Sequence, residues 1–334
     1  MNLTDTIHTY LTTAPTSRFV QQTVEMVDAW EGHDNLLWRV KCGQQDAVLK
    51  LYMDAGQARS RRQFDGHQHF APQAIAPRPL WYDRHPHGLS RQVMVYEWIE
   101  GGEIGRSGDW AIAELAGVMA RVHGGDAGEV QRFCPHPLNL EIFWRVERSA
   151  LAAISEWLLL RKAQKLHALF QQIATECEKL AAGSLCYWQQ SPPTTVHGDL
   201  RLENVVVTPY RSLVLVDWEM FGLGDPSLEI ATFLGRNQVD TDNWLESYLA
   251  QVEQPFLSER IAVYRRLLPF QSLCYLINGL KAIRPEELTP EIIQALPFLF
   301  DTLEATLKQV ATYFGIEYTI ERSEIEKLSH QGIG

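Results

Sequence analysis

The chain has 334 residues, enough for one large domain or two lobes with an ample core. Its apolar fraction of 46% is that of a soluble globular protein. It contains no unbroken apolar run of about 18 residues, which argues against a membrane-spanning helix. A formal charge of −11 speaks against nucleic-acid binding, which needs basic stripes, and is compatible with a cationic substrate or with plain solubility. The five cysteines, Cys42, Cys134, Cys177, Cys186 and Cys274, are scattered and form no Cys-x-x-Cys pair. They read as reduced thiols of a cytoplasmic protein, and the first residues carry no secretory pattern of a basic then an apolar segment.

In chain order, residues 1–18 read as a short amphipathic helix or an irregular arm. Three strands follow at Val20–Asp28, Asn35–Cys42 and Ala47–Tyr52. The turn at 29–35 holds one glycine, Gly32, and ends on Asn35. Lys50 stands inside the third strand, where a lysine needs an anionic partner or an edge from which to snorkel. A helix over Ala55–Phe70 is rich in Arg, Gln and His. Its His67 and His69 are two residues apart, on different faces, and read as surface residues, as do His85 and His87 in a proline-bearing turn. Residues 76–82 enter another strand with Arg91–Trp98 as its partner, and the chain then meets Gly101 and Gly102.

Beyond these glycines the pattern is helical. Trp110–His123 has an apolar face at Ile112, Leu115, Val118, Met119 and Val122. After a Gly- and Pro-bearing loop at 124–137, helices are expected at Leu140–Leu160 and Ala163–Ala181. Past the stretch described next, helices are expected at Leu228–Leu234, Thr241–Val252, Leu257–Ile283 and Pro290–Gly315, with a partly disordered tail at 317–334. There is no internal repeat and no low-complexity linker.

The most informative stretch is 196–230. Two short apolar runs, Val205–Val207 and Leu213–Val216, flank a turn at 208–212 and read as a hairpin of buried strands. A hairpin returns its outer ends to one place, so Asp199, Asn204 and Asp217 should converge about 5–10 Å apart. One carboxylate there can accept a proton, and another, with a carboxamide oxygen, can hold a hard cation such as magnesium. Phosphoryl transfer uses that equipment, because its catalysis is mostly positioning and charge neutralisation.

The order His197-Gly198-Asp199, Asn204, Asp217-Trp218-Glu219 and Gly224-Asp225-Pro226 resembles the aminoglycoside phosphotransferase / choline kinase family, the small-molecule branch of the protein-kinase-like fold. That resemblance implies an α+β, two-lobed fold. A small antiparallel β lobe would span 1–98, a hinge 99–102, and a larger, mostly helical lobe 103–334. It implies ATP and Mg2+ as cofactors, with Asp199 as the base and Asn204 and Asp217 on the metal. Lys50 would hold the α- and β-phosphates and pair with a glutamate of the next helix, where this sequence offers Gln63, or Asp65 as the other choice. Gly32 and Asn35 match a Gly-x-x-Asn phosphate turn. Adenine would bond to the Glu97 carbonyl and the Ile99 amide, with Tyr96 behind the base. His197 would brace the loop, Arg201 would reach phosphate or pair with Glu203 or Glu219, and Asp225 would tie down the chain after the metal site. Glu229 stands where relatives carry aspartate. Glu219 would serve as a pocket carboxylate for a cationic substrate.

Three readings follow from the resemblance. The first is a metabolic kinase acting on a hydroxyl of a small molecule, choline- or ethanolamine-like, homoserine-like or a sugar. The second is an aminoglycoside antibiotic phosphotransferase. The third is a non-catalytic nucleotide-binding module, suggested by the missing glutamate partner of Lys50. The absence of Asp-Phe-Gly and of Ala-Pro-Glu argues against a protein substrate.

Overall fold

The computed structural model describes residues 2–32, 34–54, 59–130, 134–237, 241–287 and 289–329. In chain order the elements are α1 (Leu3–Thr13), β1 (Glu25–Glu31), β2 (Asn35–Cys42), β3 (Gln45–Tyr52), α2 (Arg59–Phe70), β4 (Pro79–Asp83), β5 (Val93–Glu97), β6 (Gly102–Glu103) and α3 (Asp109–His123). There follow α4 (Leu140–Leu160), α5 (Gln164–Ser184), β7 (Thr194–Val196), β8 (Val205–Val207), β9 (Leu213–Leu215), β10 (Gly222–Gly224), α6 (Pro226–Arg236), α7 (Thr241–Leu249), α8 (Leu257–Ala282), α9 (Pro290–Tyr313) and α10 (Arg322–Glu326). The expected start of the second helix at 55–58 lies outside the described residues. So do His33 in the first turn, 131–133 in the loop and 330–334 of the tail.

By packing, the chain divides into two compact units. One comprises Met1–His136, Pro193–Glu229 and Arg236–Glu253, and the other Pro137–Pro192, Ile230–Gly235 and Gln254–Gly334. The first unit holds an antiparallel five-stranded sheet of order β1-β2-β3-β5-β4. Its strands alternate, as the two-residue period of a strand requires. Ala47, Leu49 and Leu51 of β3 face a core with Val40, Val93, Val95 and the buried face of α1, Ile7, Tyr10 and Leu11. Val48 and Tyr52 lie on the other face with Met94 and Tyr96. Lys50 falls between them in the alternation and is buried. The second unit is helical, and its core joins α4, α5 and α8 through Phe143, Phe170, Tyr264 and Phe270. The α+β division expected from the sequence, an antiparallel sheet followed by a larger helical part, is what the chain adopts.

Of the two forms expected for the N-terminal arm, residues 3–13 take the helix, because Asn2 and Asp5 form a reciprocal capping box at its start. Other sequence expectations change. The first strand begins at Glu25 rather than Val20, because Gln21 takes a positive φ of 61° and its N–H bonds to Thr12 O at 2.9 Å, which ties that segment to the end of α1. His67 is not a surface residue. It is fully buried against Tyr96, at 5.0 Å between rings, and burial holds its imidazole down to about 3. Among the described residues, no helix is long and apolar enough to cross a membrane, and none of the five cysteines forms a disulfide.

Candidate active site

The hairpin forms as its sequence requires. Strands β8 and β9 pair antiparallel, Thr208 N–H closes the turn on Ser212 O at 2.9 Å, and Val216 N–H bonds to Asn204 O at 2.9 Å. That last bond ties together the two open ends, so the residues before β8 and after β9 share one mouth. Asn204 Nδ2 donates to the main-chain oxygen of Asp199 at 2.9 Å, which fixes the loop across the mouth. Gly198 has a φ of +90°, and a Cβ there would lie 2.2 Å from Met220 O, so only glycine fits this approach of loop to hairpin exit. Asp217 sits in the left-handed region at φ 65°, ψ 51°, a strained conformation for a residue with a side chain.

The loop is braced from behind. His197 is fully buried, with Nε2 at 2.9 Å from Val216 O and its ring 4.5 Å from that of Trp218. Glu229 of α6 accepts the Gly198 N–H at 2.5 Å and the His197 N–H at 3.2 Å. The same carboxylate lies 2.8 Å from His123 Nε2, whose Nδ1 lies 2.6 Å from Tyr248 OH. Burial pushes the Glu229 carboxyl up, but His123 and the loop N–H groups override it and hold it below its usual value. Asp225 accepts the Ser227 N–H at 3.0 Å at the head of α6.

Lys50 meets two carboxylates. Its Nζ forms a short ion pair with Asp217 Oδ1 and lies 3.2 Å from Glu219 Oε2. Burial would push the ammonium down, but Asp217 and then Glu219 outweigh it and keep it above its usual value. Burial likewise raises the Asp217 carboxyl, and the Lys50 charge reverses this and leaves it below its usual value. Glu219 is also held by Asn35 Nδ2 at 3.3 Å and Arg59 Nη1 at 3.1 Å, while Arg62 Nη1 donates to its main-chain oxygen at 3.2 Å. Helix α2 comes this near because residue 66 is glycine: a Cβ there would lie 3.0 Å from Trp218 Cβ and Phe221 Cγ. Gln63 is turned to other partners, accepting the Tyr52 hydroxyl at 2.6 Å and lying 3.4 Å from His67. Asp65 pairs with Arg61 at 3.9 Å. The acidic partners of Lys50 therefore come from the segment after β9.

Asp199 is held by two arginines. Arg201 Nε lies 2.9 Å and Arg236 Nη1 3.1 Å from the same oxygen, Oδ1. Asn204 uses its amide nitrogen on the loop, so its carboxamide oxygen remains as a donor atom for a cation. Among the described residues, no group of three His, Cys, Asp or Glu side chains could hold a metal. Asp217 and Asn204 would offer magnesium two hard oxygens, and it would complete its shell with waters and phosphate oxygens.

Of the remaining residues singled out from the sequence, Gly32 and Asn35 form the turn between β1 and β2, with Gly32 N–H on Asn35 O at 2.8 Å. Asn35 is buried, and its Oδ1 has no hydrogen-bond partner among the described residues. Glu97 ends β5 opposite Ala47, and Ile99 lies just beyond it. A Cβ on Gly101 would lie 2.5 Å from Val207 O, so this connection packs directly on β8. Sequence reading missed Arg59, His123 and Arg236 and gave Glu229 no contact. His123, Glu229 and Arg236 each stand in a largely apolar helical pattern and Arg59 in a helix rich in Arg, Gln and His, and neither signal names a partner.

The family model of the phosphotransferase enzyme family (APH) matches residues 26–270. The structure is similar to that of a choline/ethanolamine kinase family protein from Mesorhizobium loti, with a TM-score of 0.59, 16% identity, and coverage of 98% of this chain and 99% of that one. It is similar to choline kinase LicA from Streptococcus pneumoniae, which has also been solved in complex with AMP, with a TM-score of 0.52, 16% identity, and coverage of 87% and 94%. An aminoglycoside phosphotransferase from Alicyclobacillus acidocaldarius subsp. acidocaldarius DSM 446 gives a TM-score of 0.52, 15% identity, and coverage of 87% and 93%. At these identities the likeness carries the fold, the two-lobed protein-kinase-like one. No curated protein matches the sequence.

Proposed function

The chain belongs to the phosphotransferase enzyme family, and on that premise we propose that it transfers the γ-phosphoryl group of ATP, with Mg2+, to a hydroxyl of a small molecule. The observation that carries this reading is the meeting of Lys50 with Asp217 at the mouth of the hairpin that also holds Asn204 and, through it, Asp199. Magnesium-ATP would supply the phosphoryl group and the charge that neutralises it. Lys50 would orient the α- and β-phosphates, and Asp217 and Asn204 would hold the metal. Asp199 would orient the acceptor hydroxyl and take its proton as the acceptor oxygen bonds to the γ-phosphorus. The bond from that phosphorus to the β–γ bridging oxygen breaks, and ADP leaves.

Glu219 belongs to this machinery as the carboxylate that anchors Lys50, a reading supported by its contacts with Lys50, Arg59 and Asn35. His197, Glu229 and Asp225 are assigned to loop support on their hydrogen bonds. We place the lobe boundary at the end of β5, near residue 98, with the hinge at 99–102 and the adenine against Glu97 and Ile99. A cytoplasmic location, where ATP is abundant and thiols stay reduced, fits the absence of any disulfide among the described residues.

A second reading, phosphorylation of an aminoglycoside hydroxyl, is favoured by the similarity to the Alicyclobacillus acidocaldarius protein. The non-catalytic module loses its support, because Lys50 has acidic partners after all. The test is turnover of magnesium-ATP against choline, ethanolamine, homoserine, thiamine, sugars and aminoglycosides, read by mass spectrometry. A gain of one phosphate on an acceptor is the expected result. ATP binding without hydrolysis or transfer would overturn the catalytic reading.

A further inference from the structure

Asp199 has more positive charge beside it than a carboxylate needs. Arg201 stands two residues along the same loop, and Arg236 comes from the last turn of α6, yet both guanidiniums converge on Asp199 Oδ1 at 2.9 and 3.1 Å. Asp217 also feels the Arg201 charge but is matched by Lys50, so one carboxylate against two guanidiniums leaves a net positive locus beside the oxygen that would take the acceptor's proton. Each guanidinium has five N–H donors, and each side chain is about half exposed, at 50% and 52%. Donors therefore remain open to solvent on both. Because both bonds fall on Oδ1, Oδ2 is left for the acceptor hydroxyl. The carboxylate that the sequence offered to a cationic acceptor, Glu219, is only 13% exposed and is already matched by Lys50 and Arg59.

Resting on the phosphotransferase reading above, we propose that the acceptor carries an anionic group, a carboxylate or a phosphate, close to the hydroxyl that is phosphorylated, and that Arg201 and Arg236 bind it. The planar fork of arginine matches the paired oxygens of either anion. A bound anion would share the two guanidiniums with Asp199 and bring its neighbouring hydroxyl to Oδ2. A quaternary or primary ammonium at the same place would face two like charges, a juxtaposition that selects against it.

The test uses matched acceptors that differ in charge around one hydroxyl skeleton. Glycerate, glycerol and 3-aminopropane-1,2-diol form one set. Glycerol 3-phosphate supplies the phosphate arm, and choline and an aminoglycoside supply further cations. Each is incubated with the wild type and magnesium-ATP, with hydrolysis of ATP in the absence of acceptor followed in parallel. An anionic member is expected to exceed its neutral and cationic counterparts by about 10-fold or more in kcat/KM. Arg236→Gln is expected to raise KM for that acceptor by about 10-fold or more with a smaller change in kcat, and Arg236→Lys to recover part of the loss. Preference for a neutral or cationic member overturns the proposal. So does hydrolysis of ATP without transfer to any anionic member. A fall in kcat shared equally by all acceptors, with KM unmoved, also overturns it and assigns the arginines to Asp199 or to the phosphoryl group in transit. Failure to bind or hydrolyse ATP at all instead removes the phosphotransferase reading on which the proposal stands.

Discussion

Glu219 reaches Lys50 at 3.2 Å with one carboxylate oxygen while its other oxygen holds Arg59 at 3.1 Å. The lysine that the sequence left without an acidic helix partner is thus anchored from the opposite direction, by the turn that follows β9. The helix still takes part, but through the arginine that fixes Glu219. Glu219→Gln is expected to raise the KM for ATP by about 10-fold and to lower kcat, because a buried ammonium loses one of its two counter-charges. Gln63→Leu removes the Tyr52 hydrogen bond at 2.6 Å and the 3.4 Å contact with His67, and leaves both counter-charges of Lys50 in place. It should cost about 1–2 kcal/mol of stability and affect ATP kinetics less than Glu219→Gln does. Steady-state kinetics and thermal unfolding of the two variants check the order, and the reverse order would return Gln63 to the phosphate site.

Asp199→Ala is expected to lower kcat by about 100- to 10,000-fold, the usual range for a removed general base, and to leave nucleotide binding in place. Calorimetric titration with ADP separates the two effects. Unchanged turnover in this variant would exclude Asp199 as the base.

The Glu229 carboxylate joins His123 to the His197–Gly198 backbone, so its charge is part of the loop's geometry. Its folded value lies below the ordinary 4.5, so it binds a proton less readily folded than unfolded. Its contribution is therefore complete above about pH 4.5 and is lost as pH falls through the lower folded value. Asp217 has the same sign, its folded value lying below the ordinary 3.8. Glu229→Gln should cost about 2–4 kcal/mol near neutral pH. Thermal unfolding measured from pH 7 down to pH 3 should show a shallower acid decline in the variant than in the wild type. Parallel declines would mean that Glu229 does not titrate with folding.

Gly198→Ala places a methyl group 2.2 Å from Met220 O on a backbone with φ near +90°. A loss of about 3 kcal/mol or more is expected, with turnover falling as the loop is displaced. Thermal unfolding gives the cost directly. A variant as stable and active as the wild type would show that loop and hairpin exit separate readily.

The resemblance was readable because its residues are close in sequence and their spacing is converted to distance by a local element. A two-stranded hairpin brings Asn204 to Asp217 whatever the rest of the chain does, and its open end is closed by one main-chain bond from Val216. The same locality made most strand and helix positions legible from apolar periodicity. The misreadings fall where a side chain's environment is set from far away. His67 looked like one exposed histidine among several, yet the packing of α2 buries it beside Tyr96. Val20–Val24 looked like a strand, yet Gln21 is held by the end of α1.

By itself the sequence determined the hairpin, the order of His197, Asp199, Asn204 and Asp217 along it, and the α+β division of the chain, because each follows from local periodicity and short-range geometry. Only the tertiary structure decided which charges meet. Lys50 finds Asp217 and Glu219 more than 160 residues away, Glu229 finds His123 across 106, and Arg236 finds Asp199 across 37. Ion pairing depends on where the folded backbone places each charge and on how far burial removes it from water, and neither quantity is a property of the neighbouring sequence.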